Sequence, residues 1–374
     1  MLLPFCLLNA ATQAPLPSVP GLTWEGTGLA SSFDGTQQPV IIGVPASYAA
    51  GQPTPLLVAL HTWSADYRQP TESYGPEAAA RGWLLVLPNF RGPNLTTNPR
   101  ATEAGGSLAA QHDTLDAVRY MSDTYSVDAD RVYMSGASGG GYMALLMAGK
   151  QPETWAAVVA WCPVTDLRDW HGVGNAYAQH IEAVCGGPPG ASPEVEFEYL
   201  RRSPRTFITN AAATNILIGH GDRDLTIPTD QTWETFSRLR AVPSHHATFR
   251  SWCGGHEERL KDGLDWAAQQ RRAPTPPQEL HLVTDEAKGY FWLFLAPEAP
   301  LKLARAVAKA EGGTVAVEAQ GAGRVEVDYQ ALALPPPRTV SLDGGNPQPV
   351  VVVEGRRTVA LTVPDGGEHR WQLQ

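Results

Sequence analysis

Cysteine, basic clusters and long apolar runs are scarce in this sequence of 374 residues. With only 4 cysteines, the chain cannot depend on a dense disulfide framework for its stability. No apolar run approaches the roughly 20 residues that a membrane-spanning helix requires. Lys and Arg number 28 against 38 Asp and Glu, and they form no cluster suited to binding phosphates. We therefore expect a soluble protein that does not bind nucleic acid.

The remaining composition is typical of a folded protein with a full core. Hydrophobic residues make up 43% of the chain and charged residues 18%, which is the balance of a globular protein and not of a disordered one. The length exceeds that of one ordinary domain, so we expect a second module.

Residues 1–14 resemble the apolar part of a secretory signal followed by small residues suited to cleavage, although the usual basic start is missing. We therefore expect export to the periplasm or the extracellular space. Cleavage would leave Cys162, Cys185 and Cys253, which permits one disulfide and one free thiol, and the sequence does not define the pairing. Cys253 is expected to be buried and inert. No spacing of cysteines and histidines resembles a zinc site, and we expect no metal and no cofactor.

Residues 35–272, which follow a lead-in at 15–34, alternate between strand-like and helix-like segments. Several predicted strands are continuous apolar runs, as buried parallel strands tend to be. The pattern therefore predicts an α/β domain with a mostly parallel central sheet. The predicted strands are 40–44, 55–61, 83–88, 131–135, 155–161, 215–219 and 247–252, and the predicted helices are 76–81, 107–125, 142–150, 230–240 and 256–271.

The pattern changes after a proline-rich linker at 273–279. Residues 280–374 contain short alternating segments separated by turn sequences such as Asp-Gly-Gly, which predicts a small all-β sandwich. The sequence leaves three roles open for this predicted domain: structural support, a lid and an anchor for a polymer. Structural support is the simplest of these. The predicted strands are 280–284, 289–295, 313–318, 324–329, 339–342, 350–353 and 358–363.

Ser138 lies at the centre of a Gly-Ala-Ser-Gly-Gly sequence between a predicted strand and a predicted helix. Small residues allow the sharp strand-to-helix turn that exposes a nucleophilic hydroxyl above a sheet. The alternative is a serine that only caps the helix. The order of strand, turn and helix favours a nucleophile elbow.

A serine hydroxyl needs a general base and a group that orients this base. His256 follows the last strand of the predicted domain, after two glycines that allow the backbone to turn. Asp224 lies on the polar loop after an earlier apolar strand, so that serine, acid and histidine occur in the order expected of a nucleophile elbow. The other candidates for the acid are Asp222, Asp166 and Asp169.

A tetrahedral intermediate needs hydrogen-bond donors for its oxyanion. The predicted donors are the backbone N–H of Gly139, directly after the serine, and that of Trp63, on the loop after a predicted strand. Aromatic side chains near strand ends also suggest an aromatic substrate cleft, although core packing explains each of them equally well. The candidate substrate-binding residues are Trp63, Tyr142, Trp161 and Trp170.

Four segments stand out together: Gly-Ala-Ser-Gly-Gly-Gly-Tyr-Met at 136–143, His-Gly-Asp-Arg-Asp-Leu-Thr-Ile-Pro at 220–228, Gly-Gly-His-Glu at 254–257 and Asn-Phe-Arg-Gly at 89–92. As a set, they resemble the catalytic domain of the prolyl oligopeptidase family within the α/β-hydrolase fold. The resemblance covers roughly residues 35–272. It implies that Ser138, Asp224 and His256 are nucleophile, acid and base.

The sequence departs from true oligopeptidases in two ways. No β-propeller precedes the predicted hydrolase domain here, and His61-Thr62-Trp63 replaces the aromatic-glycine signature that supplies their oxyanion-hole tyrosine. The chain is also similar to secreted feruloyl, acetylxylan and polyester esterases. We therefore expect hydrolysis of a small-molecule or polymer-borne carboxylic ester through an acyl-enzyme. The alternatives are a peptidase acting on short peptides and a non-catalytic protein that binds a polymer.

Overall fold

The computed structural model describes residues 15–243, 245–350 and 358–374. The predicted export segment at 1–14 and most of the strand predicted at 350–353 lie outside the described residues.

An eight-stranded sheet forms the centre of the first domain. Its spatial order is β1-β2-β4-β3-β5-β6-β7-β8; β2 is antiparallel to β1 and β4, and the other neighbours are parallel. The predicted α/β fold with a mostly parallel sheet is confirmed. The strands are β1 (Leu22–Ala30), β2 (Gln37–Pro45), β3 (Thr54–Leu60), β4 (Leu84–Pro88), β5 (Val127–Ala137), β6 (Ala157–Trp161), β7 (Asn215–Gly221) and β8 (Ala247–Trp252).

The first strand lies within residues 15–34, which the sequence pattern assigned to a lead-in outside the domain. Residues 22–30 pair with β2 along their whole length, so the sheet begins earlier than predicted. As the edge strand of the sheet, β1 has no fully buried residue. It therefore lacks the apolar run that identifies the central strands.

Helices cover both faces of the sheet. None of those described is long and apolar enough to cross a bilayer. The predicted helix at 256–271 is shorter than expected, and four short helices between β6 and β7 were not predicted. The helices are α1 (Thr71–Arg81), α2 (Leu108–Thr124), α3 (Gly139–Lys150), α4 (Leu167–Gly172), α5 (Ala178–Cys185), α6 (Pro193–Arg201), α7 (Pro204–Phe207), α8 (Thr229–Arg240) and α9 (Leu260–Ala267), with short 3₁₀ turns at Ala101–Glu103 and Ile208–Ala211.

The core of this domain consists of one apolar cluster on each face of the sheet. Side chains of α2, α3 and α8 pack on one face, and those of α1 and α9 pack on the other. Every residue of β3 and of α3 is buried as a result. The helix that begins directly after Ser138 is therefore fixed on all sides.

The C-terminal residues form two antiparallel sheets, one of four strands and one of six, which confirms the predicted all-β domain. The single strand predicted at 289–295 is two strands, because Phe291 between them has a positive φ of 53°. The strands β12, β16 and β18 were not predicted. The set is β9 (Glu279–Thr284), β10 (Lys288–Tyr290), β11 (Leu293–Pro297), β12 (Ala304–Glu311), β13 (Thr314–Gln320), β14 (Ala322–Asp328), β15 (Thr339–Leu342), β16 (Gln348–Pro349), β17 (Thr358–Leu361) and β18 (His369–Leu373).

A buried ion pair joins the two domains. Lys150, the last residue of α3, pairs with Asp285 of the β domain, and neither side chain is exposed to solvent. Arg201 also contacts Asp285, at 2.8 Å. Burial alone would raise the pKa of Asp285, but the positive charges of Lys150 and Arg201 outweigh it and hold that pKa below its ordinary value. Asp285 is therefore ionised at neutral pH and holds the interface together.

Replacing Asp285 by asparagine should destabilise the protein by about 3–5 kcal/mol, because Lys150 would stay buried without its counter-charge. Chemical denaturation monitored by circular dichroism measures this change. The matched control is Glu311→Gln, which removes the carboxylate of an exposed ion pair with Lys309 and should leave the unfolding midpoint unchanged. An unchanged midpoint for Asp285→Asn would contradict this account of the interface.

Candidate active site

The turn between β5 and α3 holds Ser138 in a strained backbone conformation. Its φ of 54° and ψ of −118° lie outside the regions that residues with a side chain usually adopt. Gly136 permits this turn, since a Cβ there would overlap the backbone of Gly140. The Ser138 side chain makes no capping hydrogen bond to α3. The alternative of a serine that only caps the helix is therefore not supported.

Asp224 and His256 meet at the carboxyl edge of the sheet. The His256 Nδ1 lies 2.7 Å from the Asp224 Oδ2. The same carboxylate accepts hydrogen bonds from the backbone N–H groups of Thr226 at 2.8 Å and Ile227 at 3.0 Å. The His220 Nε2 lies 3.0 Å from the Asp224 Oδ2. Burial would raise the pKa of Asp224, but these partners outweigh it and hold the pKa far below its ordinary value.

His256 has an environment suited to a proton-transfer group. Burial would lower its pKa, but the hydrogen bond to Asp224 outweighs that effect and raises the pKa to about 9. The side chain is 27% exposed, so solvent and substrate can reach it. Within the described residues, the Ser138 hydroxyl makes no hydrogen bond to His256 or to any other group. Such contacts often form only when a substrate is bound.

The three alternative acids have other partners. Asp222 accepts a hydrogen bond at 3.1 Å from the backbone N–H of Gly254 and so braces the loop before His256. Asp166 caps α4 through the Asp169 N–H, and both carboxylates pair with Arg205. Among the four candidates, Asp224 is the one that contacts His256 within the described residues.

The backbone amides of Gly139 and Trp63 lie side by side. A Cβ on Gly139 would overlap the Trp63 backbone nitrogen, which shows how closely the two segments approach. Neither N–H donates to another group among the described residues. Two free amides beside the Ser138 side chain are the arrangement that an oxyanion requires.

The structure brings three of the four predicted substrate-binding aromatics together. Trp63 makes edge contacts with Tyr142 at 5.7 Å and with Trp170 at 5.0 Å between ring centroids. All three side chains are buried, so they lie behind the site surface. Trp161 belongs to the cluster on the other face of the sheet, where it packs at 5.6 Å against Trp252. The predicted cleft does not include Trp161.

The cysteines differ from expectation. Cys253, expected to be buried, is exposed, whereas Cys162 and Cys185 are buried, and all three are free thiols. Cys162 directly follows β6, and its Sγ lies within 4.8 Å of ligand atoms of both His220 and Asp224. Sequence reasoning missed this residue, although its place at the end of a strand next to β5 was the available signal.

Comparison with known proteins confirms the resemblance stated above. The model of the prolyl oligopeptidase family matches residues 77–254. The uncharacterised peptidase YtmA of Bacillus subtilis is 25% identical over 46% of this chain and 63% of its own length. Feruloyl esterase B of Neurospora crassa is 27% identical over 43% of this chain and 59% of its own. The chain thus matches less than two thirds of the length of either relative.

Solved structures agree on the fold. A puromycin-hydrolysing peptidase of Mycobacterium tuberculosis superposes with a TM-score of 0.57 at 21% identity, over 69% of this chain and 42% of its own. The first domain therefore has the α/β-hydrolase fold.

The raised pKa of His256 predicts an alkaline pH profile. Only the neutral imidazole accepts a proton, so kcat/KM for a p-nitrophenyl ester should rise about tenfold per pH unit below the pKa and level off near pH 9. Replacing Asp224 by asparagine should move the inflection to lower pH, because the carboxylate that raises the pKa is lost. A wild-type profile that is flat from pH 7 upward would contradict this prediction.

The close approach of Gly139 to Trp63 predicts that a side chain at position 139 impairs catalysis. Gly139→Ala should separate the two amides and lower kcat by about 10²–10³-fold, the range seen when one oxyanion donor is lost. Steady-state kinetics on the same ester measures the loss. Gly172→Ala is the matched control, because a Cβ at Gly172 meets no atom within 4 Å. Equal loss in both variants would count against the assignment.

Proposed function

We propose that this protein is a serine hydrolase that cleaves carboxylic esters, with Ser138 as nucleophile, His256 as general base and Asp224 as the acid that orients it. One observation carries the proposal. A strained serine, two free amides and an aspartate-bound imidazole come from loops after β5, β3, β7 and β8, which all end at the same edge of the sheet. This constellation suits acyl transfer.

In the proposed mechanism the Ser138 Oγ attacks the ester carbonyl carbon while the His256 Nε2 accepts the hydroxyl proton. The carbonyl oxygen becomes an oxyanion and accepts hydrogen bonds from the Gly139 and Trp63 amides. As the C–O bond to the leaving alcohol breaks, His256 returns the proton to the alcohol oxygen. A water molecule then repeats the sequence on the acyl-enzyme, which releases the carboxylic acid and restores the serine.

The environment of Asp224 supports its proposed role. The carboxylate has no solvent exposure and is surrounded by hydrogen-bond donors, so it stays ionised. An ionised partner at Nδ1 keeps the other imidazole nitrogen free to accept a proton and stabilises the imidazolium that forms. His220 contacts the same carboxylate and completes the hydrogen bonding of Asp224. It is not the base for Ser138 in this proposal.

Two features favour esters over amides. The oxyanion donor supplied by a tyrosine hydroxyl in oligopeptidases would here be the backbone amide of Trp63, because His61-Thr62-Trp63 stands at that loop. The similarity to a feruloyl esterase also points to ester substrates. Peptide hydrolysis is the second candidate, since the prolyl oligopeptidase family model and the peptidase YtmA both match this domain.

The central test is Ser138→Ala. We expect loss of p-nitrophenyl ester hydrolysis by several orders of magnitude and loss of labelling by a fluorophosphonate probe, because no other group forms the acyl-enzyme. The matched control is Ser122→Ala, which removes an exposed hydroxyl on the surface of α2 and should retain both properties.

The same protein should be assayed against a panel of aryl esters and short peptide amides. Ester turnover well above amide turnover supports the esterase, and comparable rates favour the peptidase. Wild-type protein that is neither labelled nor active would contradict catalysis and leave the polymer-binding alternative. Near-wild-type activity of Ser138→Ala would contradict the assignment of the nucleophile.

A further inference from the structure

The proposed reaction makes no use of the Cys162 thiol, although it lies among the catalytic groups. Cys162 follows β6 in the left-handed backbone region, with φ of 44°, and is 1% exposed. Its Sγ donates to the backbone oxygen of Glu257 at 3.4 Å, next to the proposed base. The turn after β6 thus directs a buried thiol toward the His256 loop and not into the apolar core.

Three groups that bind metals meet at this point, and a fourth lies beside them. The Cys162 Sγ, a ring nitrogen of His220 and a carboxylate oxygen of Asp224 all lie within 4.8 Å of one another. The His256 Nδ1 lies beside this group, 2.7 Å from the Asp224 Oδ2. A thiol, two imidazoles and a carboxylate form the donor set that Zn²⁺ takes in proteins.

We propose that Cys162, His220, Asp224 and His256 form an inhibitory site for Zn²⁺. The inhibition rests on the function proposed above, whereas the binding does not. An ion bound to the Asp224 carboxylate and to the His256 Nδ1 replaces the hydrogen bond between these residues and leaves the ring proton on Nε2, so His256 can no longer accept the Ser138 proton. The enzyme would then be inactive while zinc is bound and active again after chelation.

The surroundings of His220 fit a metal ligand. Without the ion, Nε2 carries the ring proton, because it faces the Asp224 Oδ2 at 3.0 Å and the Ile227 backbone oxygen at 3.1 Å. When Nε2 binds the ion, the proton moves to Nδ1, which lies 2.7 Å from the Thr232 Oγ1 and can donate to it. Ligating histidines in proteins usually donate their second nitrogen to such a partner. The Thr232 hydroxyl in turn donates to the backbone oxygen of Pro163 at 3.4 Å, and its side chain is fully buried. The ring orientation is therefore fixed before binding.

Binding needs only small movements. Zinc bonds of about 2.0–2.3 Å place ligand atoms somewhat under 4 Å apart, so atoms as far apart as 4.8 Å must approach by about 1 Å. The Asp224 Oδ2 must move away from the ring nitrogens of His256 and His220, now at 2.7 and 3.0 Å, by less than about 1 Å. The thiol proton passes to solvent as Sγ binds the ion, and Asp224 is already ionised. Access is past His256, the partly exposed member of the set. Mg²⁺, which prefers oxygen ligands, should not bind.

The test uses the full chain in two measurements. Cd²⁺, a soft ion that reports thiolate binding by an ultraviolet charge-transfer band, should bind with one ion per chain. Zn²⁺ should inhibit ester hydrolysis by tenfold or more, reversibly with a chelator, while Mg²⁺ at the same concentration has no effect. Cys162→Ala should lose the cadmium band and the inhibition, with circular dichroism confirming its fold.

Two further variants keep the inference falsifiable. Thr232→Val removes only the partner of His220 Nδ1 and should weaken metal binding by about 10- to 100-fold. Cys253→Ala removes the exposed thiol and should behave as wild type. The inference is overturned if Cys162→Ala is inhibited like wild type, or if Cys253→Ala abolishes the cadmium band.

The binding measurement separates this inference from the proposed function. Ser138→Ala should still bind one Cd²⁺, because Ser138 is not a ligand. A cadmium band in a wild-type protein that hydrolyses no ester would uphold the metal site and reject the esterase. Ester hydrolysis without a cadmium band would uphold the esterase and reject the metal site.

Discussion

The buried Asp224 carboxylate is the group on which the candidate site depends. It accepts hydrogen bonds from the backbone of its own loop, at Thr226 and Ile227, and it contacts the side chains of His220 and His256. Burying a carboxylate is costly unless its oxygens are paired in this way. The pairing fixes the loop after β7 to the loop after β8, so the position of His256 follows from that of Asp224.

Close backbone approach is the second constraint on the site. A Cβ at Gly139 would overlap Trp63, and a Cβ at Gly221 would overlap the carbonyl oxygens of Gly254 and Gly255. These contacts bring the loops after β3, β5, β7 and β8 to one edge of the sheet. The glycines around Ser138 and His256 are thus required by packing between loops as well as by the turns themselves.

The sequence was sufficient to predict the parallel sheet, the turn at Ser138 and the loops that carry Asp224 and His256, because apolar strands followed by polar loops have a strong local signal. It was insufficient for β1, a partly exposed edge strand, and for the short helices α4 to α7, which have few residues in which a helical period can appear. These elements depend on contacts with residues distant in the sequence.

Side-chain direction at strand ends also escaped prediction. Trp161 and Cys162 are adjacent, yet the former packs on the face covered by α9 and the latter turns toward His256. The direction of each side chain follows from the alternation along β6 and from the positive φ of Cys162. An error of one residue in the predicted strand end reverses the predicted direction, so the sequence alone did not define it.

The helix α3 links the candidate site to the β domain. Ser138 precedes its first residue, and Lys150 at its other end pairs with Asp285. At about 1.5 Å per residue, these 12 residues separate the two ends by about 18 Å. The ion pair and the paired hydrogen bonds between Asn210 and Val283 hold the β domain at the end remote from the serine. These contacts therefore support the rear of the buried helix, at the end remote from Ser138.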